Sequence, residues 1–112
     1  MFGRKKAAGN AGVGIILKVG SDGGLYVKSM QNNGPASNSR VVQVGDLLLE
    51  VSGKNAFGKS VDKVKMMILG VPETSCEFLF KRWLHGGDST IYSIELIRTL
   101  AISAEDMNVE GV

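Results

Sequence analysis

Two closely spaced glycines followed by a strand pattern constrain this chain more than any other stretch. Residues 12–15 read Gly-Val-Gly-Ile, and the apolar residues Ile15, Leu17 and Val19 then recur at every second position. A period of two places alternate side chains on one face of a β-strand, so the pattern predicts a strand that leaves a glycine-rich loop. Because glycine lets successive backbone N–H groups point into one concavity, such a loop can bind an anion.

Composition limits the chain to one folded domain of an ordinary kind. Its 112 residues are 44% hydrophobic and 21% charged, which suits a single core. A net charge of +2 and one basic run, at residues 4–6, do not make a nucleic-acid-binding face. No apolar run reaches the roughly 20 residues of a membrane-spanning helix. The single cysteine, Cys76, excludes an internal disulfide and favours a reducing compartment.

From these features we expect a soluble, intracellular protein. The cytoplasm fits, and so does an organelle stroma if a targeting peptide has been removed.

Turn residues divide the chain into short strands and two helices. Gly, Asn, Asp and Ser cluster at residues 20–24 and 31–40, where tight turns favour them. Within the second cluster, Pro35 suits the first turn of a short helix. Period-two patterns and β-branched content predict strands at residues 15–19, 25–30, 47–51 and 76–81, with a short extra strand at 54–56.

A longer helix is predicted from about residue 60 to residue 69. Ser60 is a good N-cap, and Gly70 followed by Pro72 ends the helix. The apolar residues of this segment form one helical stripe: Val61, Val64, Met67 and Ile68.

In this order the elements resemble a PDZ domain. Residues 12–15 resemble the family's Gly-Leu-Gly-Phe carboxylate loop, and residues 33–36 resemble its Gly-Gly-Pro-Ala segment. Residues 42–53 resemble its Leu-x-x-Gly-Asp-x-Ile-Leu-x-Val-Asn-Gly stretch, with Ser52 in place of the Asn. The resemblance implies a mainly β fold with two helices (α+β by some counts), a PDZ-like, partly open, five- to six-stranded barrel capped by a short and a longer helix.

The chain departs from the family at its beginning. PDZ domains usually open with a strand before the carboxylate loop, and residues 1–11 show no strand pattern. Residues 91–98 follow a turn-like Gly-Gly-Asp and carry apolar residues at period two, so we predict that they supply the absent strand in a circularly permuted topology. A helix is the alternative for this segment, because its isoleucines also fit a helical stripe. The predicted division is a flexible basic arm at 1–11, a PDZ-like domain at 12–98 and a C-terminal tail at 99–112.

The resemblance also implies a site for an extended peptide. The peptide would add as an antiparallel strand to the edge of residues 15–19, with the longer helix as the opposite wall. Backbone N–H groups would bind its terminal carboxylate in a loop formed by Gly12, Val13, Gly14 and Ile15. The peptide groove is assigned to Ile16, Leu17, Val61, Val64, Lys65 and Ile68.

The apolar lining predicts the ligand's side chains. Val13, Ile15, Leu17 and Ile68 would line a pocket for a last residue such as Val, Leu, Ile or Phe. By family resemblance Val61 faces the third-from-last residue, where it favours an apolar side chain, while Lys65 offers a charge to an acidic one. In the alternative interpretation Val61 only packs on the core and Lys65 points to solvent.

The sequence leaves two candidate functions. The first is a protein-interaction module that binds the C-terminal peptide of a partner. The second is a constitutive structural or linker subunit, anchored in a larger assembly by its arm and tail. We expect no enzyme activity, cofactor or metal, since the lone His85 and the lone Cys76 form no ligand cluster. No nucleic acid or membrane insertion is expected, and weak self-association through Val112 is a further hypothesis.

Overall fold

The structure, a computed structural model, describes residues 10–100. Its strands are β1 (Ile15–Val19), β2 (Leu25–Met30), β3 (Leu47–Val51), β4 (Lys54–Asn55), β5 (Ser75–Trp83) and β6 (Ser89–Ile97), and its helices are α1 (Pro35–Ser39) and α2 (Val61–Ile68), with a 3-10 turn at His85–Gly87. The predicted elements are confirmed: β1, β2 and β3 have the predicted bounds, and the ends of the other predicted strands and of α2 differ from the prediction by no more than two residues. The predicted N-terminal arm up to residue 9 and the tail from residue 101, including Val112, lie outside the described residues.

The strands form one antiparallel sheet in the order β1-β2-β3-β5-β6, and β4 pairs with β3. The sheet is not closed, because β1 and β6 stand at its two ends. This architecture confirms the predicted mainly β fold with two helices and a partly open barrel. Over residues 10–100, no helix is long and apolar enough to cross a membrane.

The C-terminal segment is a strand and not a helix. β6 pairs with β5 over its whole length, from Ser89 opposite Trp83 to Ile97 opposite Ser75, without a shift of register. The helical alternative for residues 91–98 is therefore wrong. β6 lies beside β5, where the permuted topology placed the strand that is absent before the loop.

Helix α2 begins after the predicted cap Ser60 and ends at Ile68, one residue before the predicted end. The Ser60 side chain accepts a hydrogen bond from the Lys63 N–H at 3.1 Å, which satisfies one free donor of the first turn. Val64 and Ile68 are fully buried on the face toward the sheet, whereas Met66 is 83% exposed. Burial of this apolar face, rather than helix propensity, holds so short a helix in place.

Asp46 is the only buried charged or polar residue that the described part of the chain places in the core, and it is 1% exposed. Arg82 donates to its carboxylate from Nε at 3.0 Å and from Nη2 at 2.8 Å. The Tyr92 hydroxyl and the Gln43 N–H donate to the same carboxylate. The Asp46 carboxylate therefore joins the turn before β3 to both β5 and β6.

The surroundings of Asp46 shift several pKa values. Burial alone would raise the pKa of the Asp46 carboxyl, but the hydrogen bonds from Arg82, Tyr92 and Gln43 outweigh it, and the pKa lies below its usual value. Burial and the bond to Asp46 raise the pKa of Tyr92. Both shifts keep Asp46 charged and Tyr92 neutral across the physiological range.

We predict that Asp46→Asn destabilises the fold by about 3 kcal/mol near neutral pH, because the substitution breaks a buried ion pair. A carboxyl whose pKa is lowered on folding contributes stability above its unfolded pKa of about 4, and this contribution is lost as the pH falls through the folded pKa. The difference in free energy of unfolding between wild type and variant, the stability gap, should narrow as the pH falls below about 4. Urea unfolding from pH 7 to pH 2 measures this gap, and a constant gap would contradict the assignment.

Candidate peptide-binding groove

The glycine loop is held at its start by two pairs of backbone hydrogen bonds. Ala11 and Gly70 exchange N–H to C=O bonds of 3.0 Å in both directions. Gly12 donates to the Thr99 carbonyl at 3.1 Å and accepts from the Thr99 N–H at 2.9 Å. The loop therefore enters the domain between the end of α2 and the end of β6, and the Gly12 N–H already has a partner.

The next two residues direct their carbonyl groups into the domain. The Val13 carbonyl accepts from the Ala36 N–H at 3.0 Å, and the Gly14 carbonyl accepts from the Gln31 N–H at 2.9 Å. Gly14 has a φ of 79°, a left-handed conformation that glycine adopts without strain. Within residues 10–100, the N–H groups of Val13 and Gly14 donate to no backbone carbonyl. These two donors lie where the sequence placed a carboxylate, in a part of the loop where Val13 and Gly14 are both buried.

Strand β1 offers an edge beside this loop. It pairs with β2 on one side, and no strand among residues 10–100 pairs with it on the other. Ile15, the predicted third donor, is the first residue of β1 and lies opposite Met30. The pairing with β2 skips Lys28 between Ile16 and Leu17, so the extra residue of this bulge belongs to β2. Helix α2 packs against β1, so the structure brings both predicted walls of the groove together.

The predicted groove residues divide into a buried base and a more exposed rim. Ile16, Val61 and Lys65 are partly exposed, and Val61 also packs against the core. The base is buried to 1% exposure or less and consists of Val13, Ile15, Leu17, Val64 and Ile68. An apolar base below a mixed rim matches a site that takes an apolar side chain.

Sequence reasoning missed Arg98, which fixes the far end of the α2 wall. Its Nε donates to the Ile68 carbonyl at 2.6 Å, and its Nη1 donates to the Thr74 hydroxyl and the Ser75 carbonyl at 2.9 and 3.1 Å. A cation at a helix C-terminus is also favoured by the helix dipole. Gly70 makes room for this side chain, since a Cβ there would lie 2.9 Å from the guanidinium carbon.

We predict that Arg98→Met destabilises the domain by about 1–2 kcal/mol, because the Ile68 carbonyl loses its side-chain partner. Amide hydrogen exchange should then speed up in the last turn of α2 more than in β3. As a control, Arg40→Met removes a positive charge at a position away from α2. Uniform acceleration along the chain would contradict a local role of Arg98.

The single cysteine and the single histidine lie apart from this groove. Cys76 is buried in β5, and burial raises the pKa of its thiol. His85 is exposed in the 3-10 turn. Over the described range, no group of three or more His, Cys, Asp or Glu residues is arranged to hold a metal ion.

The loop, the free strand edge and the facing helix define a protein of the peptide-binding class, and comparison with a family model agrees. The model of the PDZ domain matches residues 4–75 of the chain. The chain therefore belongs to the PDZ domain family, whose members are peptide-binding protein-interaction modules. No curated protein matches the sequence.

Solved structures share the fold. The PDZ domain of the carboxy-terminal protease from Vibrio cholerae, solved in complex with a peptide, is 23% identical with a TM-score of 0.69, over 80% of this chain and 94% of that one. The photosystem II D1 C-terminal processing protease is 23% identical with a TM-score of 0.72, over 87% of this chain but 25% of the protease. At this identity the likeness establishes the fold alone.

Proposed function

We propose that this domain binds the C-terminal peptide of a partner protein as an added strand on β1, with apolar side chains preferred at the last and third-from-last positions. The observation that carries the proposal is the pair of N–H donors at Val13 and Gly14, which lie beside an unpaired strand edge in the described chain. A carboxylate at this point would end a chain that runs along the edge.

The loop at residues 12–15 contains no positively charged side chain, and a carboxylate does not require one there. Hydrogen bonds from neutral N–H groups become stronger when the acceptor is charged, so the ligand itself supplies the charge. Along the strand, main-chain hydrogen bonds provide affinity and alternate side-chain contacts provide selectivity. The selectivity in this domain is assigned to the buried base near Ile68 and to the rim residue Val61.

The proposal makes the domain a binding module without catalysis of its own. A cysteine nucleophile requires a thiolate, and Cys76 is 2% exposed with a raised pKa. His85 stands on the exposed turn between β5 and β6.

The direct test compares two forms of one peptide. A labelled peptide that ends in Leu-Ser-Val with a free carboxylate should bind in fluorescence anisotropy, and its C-terminal amide should bind at least about tenfold more weakly because the charged acceptor is lost. An internal copy of the same three residues serves as a second control. Equal affinities for acid and amide would contradict the carboxylate loop. Failure of all free peptides, with copurification of the full chain in a stoichiometric complex, would favour the structural or linker subunit.

We further predict that Val61→His shifts the preferred third-from-last ligand residue toward Ser or Thr. Val61 is partly exposed on the α2 rim, so an imidazole there can offer a polar partner to a ligand hydroxyl. Met66→His places the same side chain at the most exposed apolar position of α2 and should leave the preference unchanged. Peptide-array profiles of the three proteins measure the shift, and identical profiles would contradict the assigned helix face.

A further inference from the structure

Strand β6 presents a long edge that the proposed peptide function does not use. It contains nine residues and stands at the end of the sheet opposite β1. No strand among residues 10–100 pairs with its outer side. Helix α1 packs against β6, and the bridge from Thr99 to Gly12 lies just beyond the end of the strand. Between Ser89 and Ile97 the only charged side chain is Glu95, and there is no proline. Natural edge strands are usually protected by several such residues.

The hydrogen bonds beyond β6 show which of its backbone groups face outward. Arg98 donates to the Thr74 carbonyl and accepts from the Glu73 N–H, both on the β5 side. The backbone N–H and C=O groups of Thr99 both bond to Gly12 on the opposite side. Along an antiparallel strand, the backbone N–H and C=O groups of successive residues point alternately to the two sides of the strand. The pairing of β5 with β6 has no register shift. The N–H and C=O groups of the odd-numbered residues 91–97 therefore point away from β5.

The side chains of this edge are self-complementary in one register. Ile91 and Ile97 are 57% and 52% exposed, and each is three residues from Ile94. A two-fold axis through Ile94 would place Ile91 opposite the partner's Ile97, and Ser93 opposite the partner's Glu95. Cross-strand apolar pairs are favourable, whereas like charges directly opposite are not.

The neighbouring registers fit less well. An axis through Ser93 would place Ile91 opposite the partner's Glu95, and an axis through Glu95 would place that carboxylate opposite itself. Glu95 already faces Glu77 of β5 within the sheet, so Ser93 is a better neighbour on its other side than a further carboxylate.

We propose that β6 pairs with β6 of a second copy of this chain, antiparallel and centred on Ile94, to form one continuous sheet across a two-fold axis. The interface is isologous, because each copy contributes the same surface. β6 and β1 are the two ends of the strand order, and no residue of β6 is among those assigned to the peptide groove. The proposal is thus independent of the peptide-binding function.

The test uses charge pairs that depend on this register. In Ile91→Lys/Ile97→Lys, lysines would face each other across the two-fold axis, whereas in Ile91→Lys/Ile97→Glu each lysine would face a glutamate. One strand pair buries less than the roughly 1,200 Å² of a stable interface, so sedimentation should be followed from micromolar to millimolar chain. We expect the wild type and the Lys/Glu variant to dimerise, and the Lys/Lys variant to bind itself about tenfold more weakly than the Lys/Glu variant.

Controls separate this outcome from others. Met66→Lys changes an exposed apolar residue of α2 and should dimerise as the wild type does. Circular dichroism verifies that each variant is folded, and peptide affinity should be equal in the Lys/Lys and Lys/Glu variants. A wild-type chain that stays monomeric throughout would overturn the proposal. Equal dimerisation of the two double variants would also overturn it, since the interface would then lie elsewhere or in another register.

Discussion

The arrangement of the sheet depends on one buried carboxylate. Asp46 lies in the turn before β3 and receives hydrogen bonds from Arg82 on β5 and Tyr92 on β6. Burying a charge is unfavourable unless its oxygens are paired, so the turn can enter the core only when both later strands are in register. The same carboxylate accepts from the Gln43 N–H, which keeps the turn itself closed. Asp46, which the sequence presents as part of a local turn, therefore also makes tertiary contacts with β5 and β6.

The β1 groove is built from segments that are distant in the sequence. The loop supplies backbone donors, β1 supplies a strand edge, and α2 supplies the facing wall. Contacts with other parts of the chain hold the loop and the helix in position. Ala11 is bound to Gly70, Gly12 is bound to Thr99, and Arg98 holds the last turn of α2. The end of β6 therefore supports the glycine loop on one side and the helix wall on the other.

Most elements could be predicted because their signals are local. The period-two pattern from Ile15, the Ser60 cap and the apolar stripe of α2 each occupy a few successive residues. The spacing after residue 90 fits both the predicted strand and the alternative helix, and the pairing with β5 decides for the strand. Asp46 and Arg82 are 36 residues apart, and Arg98 reaches a carbonyl 30 residues away. No local pattern in a single sequence encodes such partners, which is why both were missed.

The bridge between Gly12 and Thr99 brings the entry and the exit of the described domain side by side. Ala11 is fully buried and Leu100 is exposed one residue beyond the bridge, so segments on either side of the domain leave from one point on its surface. A domain whose two ends meet can be placed within a surface loop of another protein without separating the strands of its host. The described domain is thus a compact unit that a longer polypeptide can carry as an insertion.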